Sequence, residues 1–165
     1  MTGKEGFVFA VSSCAADDTD LCSLVDAMTS ELVGVYELDP GVRPAPLSSG
    51  ARYLLLRRQD EAVGCCAVQP VDSGTTELKR MFVSPAARGT GAADALLARA
   101  EQIATELGAH RMRLETGVRQ PAAIRLYERA GYRRIANFPP YQQDPVSVCY
   151  AKDLRVPPSR ALRDA

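Results

Sequence analysis

The sequence predicts an α/β protein. Its central sheet is mixed and mostly antiparallel, with about seven strands, a splayed parallel pair and helices on both faces. Three observations carry this. Short apolar runs broken by turn signals fill residues 51–83, and their connections are too short for anything but antiparallel pairing. The apolar period then becomes helical over residues 92–107 and returns to alternation at Arg111–Thr116, so a helix-length crossover joins two strands, as a parallel pair requires. Finally, 165 residues with 46% apolar and 24% charged side chains suit one ordinary globular domain, and exclude a disordered or collagen-like chain.

Taken in order, Gly6–Val11 is short and apolar and reads as a first strand. Leu21, Leu24, Val25, Met28 and Leu32 recur at steps of three and four, which predicts a helix with Asp17 or Asp18 as its N-cap. Gly34–Gly50 contains three prolines and no period, and reads as a long loop or broken helix of the kind that often serves function. Ala51–Arg58, Ala62–Gln69 and Glu77–Val83 form a meander of three strands. Leu96, Leu97, Ala100, Ile103, Ala104 and Leu107 form one face of a second helix, and Gly108 follows where a left-handed residue ends it. Pro121 opens a third helix that runs to Arg129 and stops at Gly131. Tyr132–Ala136 and Val146–Leu154 are the last strands. The domain is expected to span residues 1–154, and residues 155–165, with two prolines, to fray.

The most informative stretch runs from Val83 to Ala93, between a strand and a strongly amphipathic helix. Gly89 and Gly91 let the backbone bend and let a ligand approach the main chain. The following helix begins with unpaired N–H groups, which together with its dipole favour an anion. Arg88 adds a charge with fork geometry. The GK[ST] ending of a P-loop is missing, and the GxGxxG spacing does not fit. In the preceding strand, Leu78, Met81 and Val83 are spaced three and then two, which breaks strict alternation. An extra residue near Lys79 or Arg80 would make a β-bulge and splay the strand from its parallel neighbour.

Residues 77–132 resemble the GCN5-related N-acetyltransferases. Arg88-Gly89-Thr90-Gly91-Ala92-Ala93 fits the family's phosphate motif, and Leu126-Tyr127-Glu128-Arg129-Ala130-Gly131-Tyr132 fits its Leu-Tyr-x-x-x-Gly-Phe/Tyr motif, in the correct order. The resemblance implies acetyl-CoA as co-substrate, with its pyrophosphate on the amides of Arg88, Gly89, Thr90, Gly91, Ala92 and Ala93, and its pantetheine against Met81, Phe82 and Val83. Gln120 stands where many relatives carry an Asn whose amide contacts the cofactor. The resemblance also implies Glu77 as base, directly or through a water, Tyr127 as acid toward the thioester sulfur, and a backbone N–H near Met81 as oxyanion donor. Glu115, at the end of its strand that faces the slot, could hold a cationic substrate or share the base role. The acceptor site is expected from the Gly34–Gly50 loop, with Tyr36, Glu37, Asp39 and Arg43, and from Pro139, Pro140 and Tyr141 opposite. Tyr36, Glu115 and Tyr141 are the residues named for substrate.

Lys+Arg and Asp+Glu number 20 each, a balance that disfavours nucleic acid as partner. No apolar stretch approaches the ~20 residues of a membrane span, and no signal-peptide region opens the sequence. The five cysteines fit neither a disulfide framework nor a zinc site; Cys65, Cys66 and Cys149 read as core residues, and no metal is expected. His110 precedes its strand, at the wrong end for catalysis. The combined reading is a cytoplasmic N-acetyltransferase acting on a primary amine of a small molecule or amino acid, with a homodimer left open. The alternatives are a protein lysine or N-terminal acetyltransferase and, in another class, a non-catalytic acyl-CoA sensor.

Overall fold

Residues 6–155 are described by the computed structural model, so the tail expected to fray lies, apart from Arg155, outside the described residues. The strands are β1 (Phe9–Cys14), β2 (Arg52–Arg58), β3 (Glu61–Pro70), β4 (Thr75–Val83), β5 (Arg111–Gly117), β6 (Arg133–Ile135) and β7 (Ser147–Asp153). The helices are α1 (Thr19–Tyr36), α2 (Ala92–Glu106) and α3 (Pro121–Arg129). The strands form one sheet in the order β1-β2-β3-β4-β5-β7-β6. Among the described residues only β4 and β5 pair in parallel, as the α2 crossover between them requires.

Alternation along the strands divides the side chains between two cores. Leu54, Leu56, Cys66, Val68, Leu78, Met112 and Leu114 pack with α2 and α3 on one face. Leu55, Cys65 and Phe82 pack with Leu21 and Leu24 of α1 on the other. Helices therefore cover both faces. The α1 core is the smaller, and it engages only the first half of the helix. Val25 and Met28 lie at its margin, and the cleft described below is lined by Met28, Leu32 and Val35. The apolar stripe read as one core face thus serves two purposes along its length.

Local chemistry sets the ends. Asp18 caps α1, its Oδ1 accepting from the N–H groups of Asp20 and Leu21 at 2.9 and 3.2 Å. α1 continues past Gly34 to Tyr36 and stops at Glu37, which takes a left-handed φ of 53°. The loop expected from Gly34 therefore starts a few residues later, because Val35 and Tyr36, less than one turn further on, bond to Arg119 beyond β5. Gly108 and Gly131 adopt φ of +85° and +94° after α2 and α3, in the positions expected of helix terminators. Cys65, Cys66 and Cys149 are buried and free, and burial pushes all three thiols up, Cys65 to about 12.

Candidate active site

The bulge read from the sequence is present. On β3, Cys65 and Ala67 are two residues apart, and they face Phe82 and Lys79 of β4, three apart. The extra residue lies at Arg80–Met81, and Arg80 takes a left-handed φ of 54°. One added residue inverts the alternation. Glu77 and Lys79 share a face with Phe82, and Val83 turns to the α2 core. It also ends the parallel pairing: β4 is bonded to β5 only from Thr75 to Leu78. Beyond Leu78 the two strands part, and the backbone edge of Lys79–Val83 opens on a cleft of about 920 Å³. Its walls are the second half of α1, the bulged half of β4, the turn into α2, the end of β5 and the first half of α3.

At one end of the cleft is the glycine turn. Pro85–Ala87 make a single 3-10 turn, and Gly89 and Gly91 follow with φ of +73° and +88°. A β-carbon on either glycine would meet no atom within 4 Å, so the space before the turn is open. Gly91 is the N-cap of α2, and no side chain caps that helix. The N–H groups of its first turn are left for a ligand. Asp94, in that turn, would oppose an anion, but Arg129 reaches both its oxygens at 3.1 Å. Thr90 bonds its hydroxyl to Ala87 O and so serves the turn itself. Arg88 is already engaged: Nε donates to Val83 O at 2.9 Å and Nη2 meets Glu31 Oε2 of α1 at 2.8 Å. That ion pair is half-exposed, so its worth is only about 0–1 kcal/mol and a phosphate could displace it.

Tyr127 projects from α3 where the strands part. It is 5% exposed and lines the cleft. Its ring meets Tyr132 edge-on at 5.8 Å between centroids. Among the described residues nothing bonds to its hydroxyl, yet the oxygen is not wholly enclosed. The hydroxyl therefore faces the cleft. Burial, with Cys66 and Glu115 nearby, raises its pKa, so it stays a proton donor at neutral pH.

At the other end the floor is charged. Glu77 is buried, and each of its oxygens meets a cation: Lys79 Nζ at 3.1 Å and Arg113 Nη2 at 3.4 Å. Both oxygens of Glu77 are thus engaged in an ion triad with Lys79 and Arg113. Lys79 also donates to the Tyr141 hydroxyl at 3.3 Å. Its pKa is raised: burial opposes the charge, but Glu77 and Tyr141 outweigh it. The Arg113 guanidinium lies 3.9 Å over the Phe138 ring, and its Nε has no hydrogen-bond partner. Glu115 differs from Glu77. Its one bond is from Ser147 Oγ at 2.8 Å, and burial raises its pKa despite that bond.

The cleft gathers most of the residues named from the sequence: Glu77, Met81, Phe82, Val83, Arg88, Gly89, Gly91, Ala93, Glu115, Gln120, Tyr127 and Tyr141 all line it. Thr90 and Ala92 flank the turn without lining it. Gln120 is half-committed: its Oε1 accepts from Gly117 N–H at 3.1 Å and Thr116 Oγ1 at 3.4 Å, which leaves its amide nitrogen as the donor. Tyr36 does not line the cleft. Its hydroxyl accepts from Arg119 N–H at 3.3 Å and its ring fills the space above Gly117, so it braces α1 against the end of β5. Glu37, Asp39 and Arg43 also stay out: Glu37 ends α1, Asp39 accepts from Gly41 N–H at 2.7 Å, and Arg43 bonds to Val42 O. The acceptor end is thus walled by the last turns of α1 rather than by the loop after it. His110 is exposed at the start of β5, at the end of the sheet away from the cleft.

Sequence reasoning missed Lys79, Arg119 and Glu31 as lining residues. Lys79 was legible, since it stands two positions from Glu77 on a strand and so shares its face. Glu31 was legible from the helical step Met28, Glu31, Leu32, Val35. Arg119 sits in the turn between β5 and α3, where no period points.

A seven-stranded sheet opened at its parallel pair, with an uncapped helix at one end of the opening and a buried tyrosine in it, is the architecture that the sequence resemblance implies. The chain matches the model of the acetyltransferase (GNAT) family over residues 17–132. It is 41% identical over 104 residues, 62% of this chain and 68% of the relative, to an IAA acetyltransferase of Azospirillum brasilense. A Klebsiella pneumoniae structure described as an acyl-CoA N-acyltransferase is 36% identical, with a TM-score of 0.78 over 90% of this chain and 99% of that one. An Elizabethkingia anophelis GNAT acetyltransferase crystallised with acetyl-CoA shares the fold at 19% identity, with a TM-score of 0.66 over 92% of this chain and 100% of that one. The chain belongs to the GNAT acetyltransferase family and is an acyltransferase. Among the described residues no helix is long and apolar enough to cross a membrane.

Proposed function

We propose that this protein, as a single catalytic domain over residues 1–154, moves an acetyl group from acetyl-CoA directly to a primary amine of a small molecule or amino acid. The observation that carries the reading is the opening between β4 and β5, where an unpaired strand edge, an uncapped helix and the free Tyr127 hydroxyl face one cleft.

Acetyl-CoA fits these groups. The N–H groups of residues 88–93 would take its pyrophosphate, with Arg88 exchanging Glu31 for a phosphate oxygen. The backbone of Met81, Phe82 and Val83 would pair with the pantetheine amides, joined by the Gln120 amide nitrogen. A backbone N–H near Met81 would meet the carbonyl oxygen as charge develops on it. The amine loses a proton to a carboxylate, its nitrogen bonds to the thioester carbon, the C–S bond breaks, and Tyr127 protonates the leaving thiolate. We assign the proton-accepting role to Glu115, whose burial raises its basicity, in place of Glu77, whose oxygens both face cations. Glu77 then fixes Lys79 and the charge of the floor.

The test is release of free coenzyme A from acetyl-CoA over a panel of amines and peptides, beside a calorimetric titration of acetyl-CoA. Release with small amines supports the proposal. Release with peptides alone favours a protein acetyltransferase, and binding with no release to any acceptor favours a sensor.

A further inference from the structure

Glu115, the last acidic residue of β5, and Arg119, in the turn that follows, both line the cleft. Both also lie near the Tyr36 hydroxyl, which accepts from Arg119 N–H and is influenced by the charge of each. Of the other ionic groups of the cleft, Lys79 pairs with Glu77, Arg88 with Glu31 and Arg129 with Asp94; Arg125, on α3, also lines the cleft without an ion pair among the described residues, but it does not share the Tyr36 hydroxyl with Glu115 as Arg119 does. Arg80, on the bulge, reaches Ala45 O at 2.6 Å. Glu115 and Arg119 have no ion-pair partner within 4 Å among the described residues, and they do not pair with each other. Glu115 holds one hydrogen bond, from Ser147. Arg119 gives one N–H to Val35 O at 3.2 Å and lies 5.8 Å over the Tyr36 ring, so most of its fork is left over.

We infer that the acceptor is an amine that also carries a carboxylate, as a free amino acid does, with its ammonium group received by Glu115 and its carboxylate by Arg119. This rests on the transfer reading above and narrows it. A half-buried carboxylate without a counter-ion favours a cation beside it, and that cation is the group to be acetylated. The guanidinium fork matches a carboxylate with two parallel bonds, and its stacking on Tyr36 fixes the plane in which it does so. A simple amine would satisfy only Glu115, and a diamine would set a second cation against Arg119. The reaction itself is unchanged: the acceptor's carboxylate is held and not altered, one ammonium proton goes to Glu115, and the second nitrogen proton lost on forming the amide goes to solvent.

The experiment uses matched acceptors, a set of free amino acids and the amines left by removing their carboxylates, with free coenzyme A as readout. The wild-type protein should show kcat/KM about tenfold or more higher for the acid of each productive pair, the factor expected for a hydrogen bond to a charged group. Arg119→Met should bring that ratio close to one through KM for the acid, and Arg119→Lys should restore part of it. Equal or better use of the decarboxylated amines by the wild-type protein would overturn the inference without any variant. So would an Arg119→Met protein with a wild-type melting temperature that keeps the preference. Acetyl-CoA binding with no member of the set acetylated overturns the inference alone; failure to bind acetyl-CoA overturns the transfer reading and the inference with it.

Discussion

Replacing Tyr127 by Phe separates catalysis from stability. Packing of the ring against Tyr132 and the α2 core does not depend on the hydroxyl. The hydroxyl has no hydrogen-bond partner among the described residues, so its removal breaks no bond within the protein. The hydroxyl faces the cleft, so its removal leaves no enclosed polar group unpaired, and the variant should match the parent to within about 1 kcal/mol. For a domain of this size, each 1 kcal/mol is about 2–4 °C in Tm, so the melting temperature should move by a few degrees at most. Turnover should move the other way. Loss of a positioned proton donor lowers kcat by about 10²–10⁴-fold in general; the leaving thiol is weakly basic, with a pKa near ~8.5, which places this case toward the low end, at about 10–1000-fold. Acetyl-CoA affinity should change little, since the hydroxyl is proposed to act on charge present only in the transition state. The assays are a thermal melt, a titration and steady-state kinetics on one preparation. A variant with wild-type kcat would refute the acid role. One whose Tm falls by several degrees would refute the claim that the hydroxyl is unpaired.

Three further outcomes follow from the geometry. Gly91→Ala meets no atom within 4 Å but holds φ at +88°, so it should cost about 1–2 kcal/mol in stability and raise the acetyl-CoA Kd at least tenfold by standing before the α2 amides; an unchanged Kd would make the turn purely structural. Gly117→Ala would drive a β-carbon into the Tyr36 hydroxyl, so urea unfolding should show a loss of about 1–3 kcal/mol, and Tyr36→Ala in the same chain should recover part of it. The Glu115 carboxyl is raised above its ordinary 4.5, so its contribution to stability is full below that value and is lost as pH rises through the raised one; Glu115→Gln should flatten that decline. The same substitution should remove the acid limb of kcat/KM, whereas an acid limb retained in Glu115→Gln and lost in Glu77→Gln would return the base role to Glu77.

Local signals carried far. The glycine turn, the Pro121 start, the Gly108 and Gly131 stops and the bulge all depend on contacts within a few residues, and each was legible. So was the parallel pair, because a helix-length connection leaves few alternatives. What the sequence did not show was pairing between distant residues. Tyr36 is a polar aromatic beside a proline-rich segment, which suits a substrate contact, but α1 ends in a position that sets its ring on Gly117. Glu77 sits where its strand faces the cleft, yet its oxygens are engaged by Arg113, 36 residues away on β5, and by Lys79 beside it.

By itself the sequence determined the order of elements, the site of the strand opening and the glycine turn before α2, since backbone conformation and burial period are properties of short stretches. The tertiary structure decided that Glu115 is left without a cation and Arg119 without an anion, and that the second half of α1 walls the cleft. Charge and hydrogen-bond pairing depend on distances between residues far apart in the chain, and those distances exist only once β4, β5 and α1 have been brought together.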